Sequence, residues 1–169
     1  NTKNFYNETA LMVAAINGHF ECLQSLIAAG ANLNAQCING KTALIWASRT
    51  GHHTCLETLI AAGANVNTPD KLGWTALISA AHKGHNRCLQ LLITAGANVN
   101  TQNNNEETAL MGAASEGHHT CLELLITAGA DINAKNNTGY TALIFAALNG
   151  HSECLQLLIA AEANLNAGD

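Results

Sequence analysis

Two phrases of the sequence, GHHTCLETLIAAGANVN from Gly51 and GHHTCLELLITAGADIN from Gly117, set paired histidines just ahead of a cysteine. These are the residue types of a zinc site or of a thiol active site. Zinc takes four donors at about 2.0–2.3 Å. Within one phrase His52 and Cys55 supply two donors at i and i+3, and His53, as a third, points elsewhere. A nucleophilic thiol needs a base beside it in one unique arrangement. Here the same pair recurs, as His19, His52, His85, His118 and His151 followed by Cys22, Cys55, Cys88, Cys121 and Cys154. Five copies mark framework, so no catalytic residue, metal ligand or cofactor is assigned. No Ser, Asp and His grouping, phosphate loop or paired-carboxylate motif stands out elsewhere in the chain.

The framework has a period of 33 residues. Thr9, Thr42, Thr75, Thr108 and Thr141 each open Thr-Ala-Leu, Gly-His follows nine residues later, and each period closes on Asn34, Asn67, Asn100, Asn133 or Asn166. Asn1 falls in the same register. Threonine is a good N-cap, Leu11, Ala14 and Ala15 form a narrow apolar stripe, and Gly18 can take the left-handed conformation that ends a short inner helix. Cys22, Leu23, Leu26 and Ile27 recur at helical spacing on an outer helix that Gly30 stops. Between units lie stretches such as NTPDKLGW, where Pro69, Asp70 and Gly73 predict an exposed loop or hairpin.

Neither helix can bury its stripe alone, and stacking neighbouring units is the physical solution. Stacked helices lie about 8–10 Å apart, which excludes a zinc set shared between equivalent positions and disulfides between equivalent cysteines. Cys22, Cys55, Cys88, Cys121 and Cys154 are therefore expected as buried, inert, reduced thiols, suited to an intracellular compartment. Cys37 alone lies outside the pattern, in a loop, where it reads either as a reactive thiol or as a tolerated substitution.

The period and the motif T-A-L-[IM]-x-A resemble the ankyrin repeat, whose signature is T-P-L-H-x-A, across essentially the whole chain. The resemblance implies an all-α ankyrin-repeat solenoid of stacked helix-turn-helix units with β-hairpin or loop fingers. Residues 1–169 would form a single domain with repeats at about 8–40, 41–73, 74–106, 107–139 and 140–169, and residues 1–7 would end a preceding finger. It also implies that the five repeated histidines are structural residues at the start of the outer helix. Alanine for the family's proline, and Ile or Met for its histidine, remove a side-chain hydrogen bond at the inner-helix start. Glu106 stands where other fingers have Gly40, Gly73 and Gly139, and Glu162 replaces the helix-ending glycine. A non-glycine residue held at positive φ costs about 1 kcal/mol or more. The closing asparagines, Asn34 to Asn166, align with a family asparagine that is hydroxylated in some eukaryotic proteins. Their first role is expected to be holding the turn after each outer helix by side-chain-to-backbone bonds.

A net charge of -5 with only seven Lys and Arg leaves little counterion release to drive nucleic-acid binding. No apolar run reaches the roughly 18–20 residues of a membrane span, and the opening NTKNFYNE has no signal-peptide core. The family binds partner proteins along its concave side. Transferred position by position, that surface includes Val13, Trp46, Ser79, Gly112 and Phe145 on the inner helices, with Arg49, His82, Lys83, Glu116 and Asn149 nearby. At the fingers it includes Lys41, Lys71, Leu72, Trp74, Glu107 and Tyr140. Four of the seven aromatic residues, Trp46, Trp74, Tyr140 and Phe145, belong to this set, and such rings are enriched at interface hot spots. The expected function is a non-enzymatic, intracellular (cytoplasmic or nuclear) protein–protein interaction module with one protein partner and no nucleic acid, membrane or cofactor. A monomer is expected, with weak end-to-end association through uncapped ends. The alternative is a structural spacer within a larger multidomain protein, which the register at Asn1 favours.

Overall fold

The computed structural model describes residues 2–163, so the readings attached to Asn1 and Asn166 lie outside the described residues. Within them the chain forms α1 (Ala10–Asn17), α2 (Phe20–Ala28), α3 (Ala43–Thr50), α4 (His53–Ala61), α5 (Ala76–His82), α6 (Asn86–Thr94), α7 (Ala109–Glu116), α8 (His119–Thr127), α9 (Ala142–Leu148) and α10 (Ser152–Ala160). Odd-numbered helices are inner, even-numbered ones outer. None exceeds nine residues, far short of the roughly 12–15 at which an isolated helix becomes even marginal in water. Their stability comes from caps and packing.

The caps are those the repeated threonines predict. Thr9, Thr42, Thr75, Thr108 and Thr141 accept at Oγ from the backbone N–H of Met12, Ile45, Ile78, Met111 and Ile144, at 3.2–3.4 Å. The threonine cap holds without the family's histidine. In its place Met12, Ile45, Ile78 and Met111 are 1–2% exposed, so apolar burial takes over from the missing hydrogen bond. The inner helices α1, α3, α5, α7 and α9 pack each on the next, and the outer helices form a second row. Small buried side chains such as Ala47, Ala80, Ala81, Ala113 and Ala114 let the inner row approach more closely than the outer one. The stack therefore curves with its inner helices on the concave side.

The fingers take the loop form rather than the hairpin form. In the third, Asp70 N–H donates to Trp74 O at 2.9 Å and Gly73 N–H to Asp70 O at 3.0 Å. The Asp70 carboxylate accepts from the N–H groups of Leu72 and Trp74. Asn4, Asn103 and Asn136 cap their own fingers identically. Cys37 occupies this position in the second finger, 7% exposed and without an amide or carboxylate oxygen to offer. Single backbone bonds join neighbouring fingers: Ile38 to Tyr6, Lys71 to Asn39, Asn104 to Leu72 and Asn137 to Asn105, at 2.9–3.1 Å. The one bridge of strand type among the described residues is Lys3 with Thr9. Glu106 and Glu162 adopt φ of 61° and 64°, so the glycine geometry survives both departures, and Asn7 joins them at 58°.

The Gly-His pair acts between units. His52, His85 and His151 place Nε2 at 3.1, 3.2 and 3.0 Å from the carbonyls of Ile16, Arg49 and Ser115 on the preceding inner helix. A Cβ added to Gly18, Gly51, Gly84 or Gly117 would come within 2.6–2.7 Å of the histidine ring of the next unit. Glycine in one unit thus makes room for histidine in the next. The closing asparagines also reach forward: Asn34, Asn67 and Asn100 accept at Oδ1 from the N–H of Asn65, Asn98 and Asp131, at 2.8–2.9 Å. They thus hold the turn after an outer helix by side-chain-to-backbone bonds, as expected, but it is the turn of the next unit. Within each turn Asn32, Asn65, Asn98 and Asp131 accept from the N–H two residues on.

Candidate protein-binding surface

The thiols come first, because they are the groups with potential chemistry. Cys55, Cys88, Cys121 and Cys154 are buried as expected. Burial pushes the Cys88 thiol up to about 11 and that of Cys121 up to about 12, and Cys121 Sγ–H donates to Asn86 Oδ1 at 2.8 Å across the outer row. Such thiols are poor nucleophiles at neutral pH. Cys22 is a correction: it is exposed, because among the described residues no outer helix precedes α2 to cover it. All six cysteines are free.

The predicted contact residues divide by depth. Val13, Arg49, Lys71, Leu72, Lys83, Glu116, Tyr140 and Asn149 are exposed, and Lys41, Trp46, Trp74, His82, Glu107, Gly112 and Phe145 are half-buried. Ser79, expected on the open face, is instead 2% exposed. A side chain that stops one heavy atom beyond Cβ does not reach past its larger neighbours to solvent. Lys41 is committed elsewhere: its Nζ lies 2.7 Å from Asp70 Oδ2, pairing the second finger with the third. The Asp70 side chain is 1% exposed, so this pair is largely removed from solvent and breaking it would strand a buried carboxylate. The same ammonium stands 5.8 Å from the centre of the Trp46 ring, whose own Nε1–H is buried without an acceptor.

Further along the concave face the structure brings predicted residues together. A slot of about 80 Å³ is lined by Trp74, Ile78, His82, Glu107, Thr108, Met111, Gly112, Ser115 and Phe145. Gly112 is its origin, standing on α7 where the other inner helices carry Val13, Trp46, Ser79 and Phe145. The walls are braced. Trp74 meets His82 edge to face at 5.2 Å, and Tyr140 meets Phe145 in the same way at 5.7 Å. Burial, opposed in part by the Glu116 carboxylate 3.8 Å away, holds the His82 imidazole below its ordinary range, so it is neutral at pH 7. Glu107 accepts at Oε2 from Asn103 Nδ2 at 2.9 Å and has no cationic partner among the described residues.

Sequence reasoning missed the fingertips. Phe5, Tyr6 and Ile38, outside the expected finger set, are 103%, 66% and 49% exposed, and add apolar tips beside Leu72, at 61%. Register was the available signal, since Phe5 and Ile38 are 33 residues apart, as are Lys71 and Ile38. No group of three or more His, Cys, Asp or Glu residues is arranged to hold a metal among the described residues, and no helix there is long and apolar enough to cross a membrane.

Short helices paired into two rows and joined by turn fingers define a helical-repeat solenoid. The family model for ankyrin repeats (3 copies) matches residues 1–70 and 77–169, and the chain belongs to the ankyrin repeat family. Members of this family are generally protein–protein interaction modules and generally not enzymes. Over 34 residues the chain is 53% identical to ankyrin repeat domain-containing protein 29 of Danio rerio. That stretch covers 20% of this chain and 11% of the relative.

Proposed function

We propose that the protein is a non-enzymatic interaction module, a single domain over residues 1–169, that holds one partner protein against its inner helices and fingers. The observation that carries this reading is the slot at Gly112, an apolar recess lined by inner-helix and finger positions that differ between units. Rigid aromatic rings around a recess supply contact area at little conformational cost. The exposed fingertips Phe5, Tyr6, Ile38 and Leu72 extend the same face.

Affinity capture from the native lysate tests the proposal, with a variant carrying Trp46→Ala and Trp74→Ala as the control. A captured protein that the double variant loses, while its circular dichroism is unchanged, is the expected result. Equal capture by a folded double variant would remove the proposed surface. No specific capture at all would favour the spacer role.

A further inference from the structure

We propose that the slot around Gly112 receives an arginine side chain of the partner protein, an inference that rests on the binding reading above and gives it a chemistry. Carbon lines most of the recess, through Trp74, Ile78, Met111 and Phe145, and suits the three-methylene stem of arginine. Carboxylates stand at two points: Glu107 in the lining and Glu116 behind His82. Guanidinium is the cation that combines both demands, because its plane stacks on aromatic faces and its fork pairs with carboxylate oxygens. A neutral apolar side chain would strip water from the Glu107 carboxylate and leave it only the neutral Asn103 amide, with no countercharge, which is costly. An acidic one would be repelled. Lysine would fit the stem but brings a compact, strongly hydrated charge that exploits the ring faces less well.

A second observation concerns Gly112 itself. It sits inside α7 with no positive φ, and an added Cβ would meet only His82, its Cβ, Cα and N at 3.5–3.8 Å, which are ordinary contacts. Neither backbone geometry nor packing calls for glycine there, whereas Gly18, Gly51, Gly84 and Gly117 are held by both. Glycine within a helix is otherwise a disadvantage. What the missing side chain provides is the space between Trp74 of the third unit and Phe145 of the fifth.

The two tryptophans make the test internal. In ¹⁵N-labelled protein, Nα-acetyl-arginine amide should shift the Trp74 indole resonance saturably and leave Trp46 unmoved. Nα-acetyl-citrulline amide, of the same shape without the charge, should bind about tenfold more weakly or not at all, and Glu107→Gln should weaken arginine binding about tenfold. Gly112→Leu, which fills the slot, should abolish the shift. Absence of a saturable Trp74 shift, equal binding of citrulline, or an undiminished shift in Gly112→Leu would each overturn the inference, and Glu107→Gln provides the reading if the leucine variant fails to fold. No natural partner is needed. Partner capture through the inner face without arginine binding would therefore remove this inference alone, whereas arginine binding without capture would keep the slot's chemistry and remove the partner protein as its source.

Discussion

Cys37 sits where Asn4, Asp70, Asn103 and Asn136 each accept two backbone N–H groups of their own finger. Its sulfur is a poor acceptor, and it is buried among groups that could use a better one. Cys37→Asn should stabilise the fold by about 1 kcal/mol, two modest hydrogen bonds less the cost of ordering the amide. Urea unfolding would read this as a higher midpoint at unchanged slope, and an unchanged or lower midpoint would refute it. The substitution was visible in the sequence as a cysteine outside the pattern. Its meaning was not, because the acceptor role of the position appears only once the finger's backbone is closed.

Among the elements, the junction between units carries the specificity of the stack. Gly51→Ala combines a φ of 79° with a Cβ 2.7 Å from the His85 ring, and should cost about 2 kcal/mol or more. Gly150→Ala shares the backbone strain, at φ 73°, with nothing within 4 Å of the new Cβ, and should cost about 1 kcal/mol. Removing the ring by His85→Ala should bring the effect of Gly51→Ala down to that of Gly150→Ala; independent, additive effects in that double-mutant cycle would contradict the coupling. Thiol labelling checks the same packing without mutation. Cys22 should react with a disulfide reagent within the mixing time, while Cys55, Cys88, Cys121 and Cys154 react only as fast as the protein unfolds. Uniform labelling would show the outer row to be open. Helices and turns were legible in the sequence because their determinants, the threonine caps and glycine stops, are local. The forward bonds of Asn34, Asn67 and Asn100 were not, because each partner lies 31 residues away in a different unit. The exposure of Cys22 and the burial of Ser79 likewise depend on neighbours that a single repeat does not reveal.

At the scale of the whole molecule, burial lowers His82 and His85 below the ordinary histidine range. In the unfolded chain both titrate near 6.5, so between that value and their lower folded values the unfolded state binds more protons. Stability is then complete above about pH 6.5 and falls as the pH drops. The melting temperature should be lower at pH 5.5 than at pH 7.5, and the difference should shrink in His82→Gln; a flat or rising profile toward acid would contradict this. The stack of units was readable from the period, and its concave side from the resemblance to the ankyrin repeat. The slot was not, although Gly112, Trp74 and Phe145 were each singled out, because a cavity is a property of three units together. Amide hydrogen exchange, with and without a captured partner, asks most directly whether recurring residues build and irregular ones recognise. Added protection should appear in α5, α7, α9 and the fingers while α4, α6 and α8 exchange as before; protection confined to the outer helices would contradict the account.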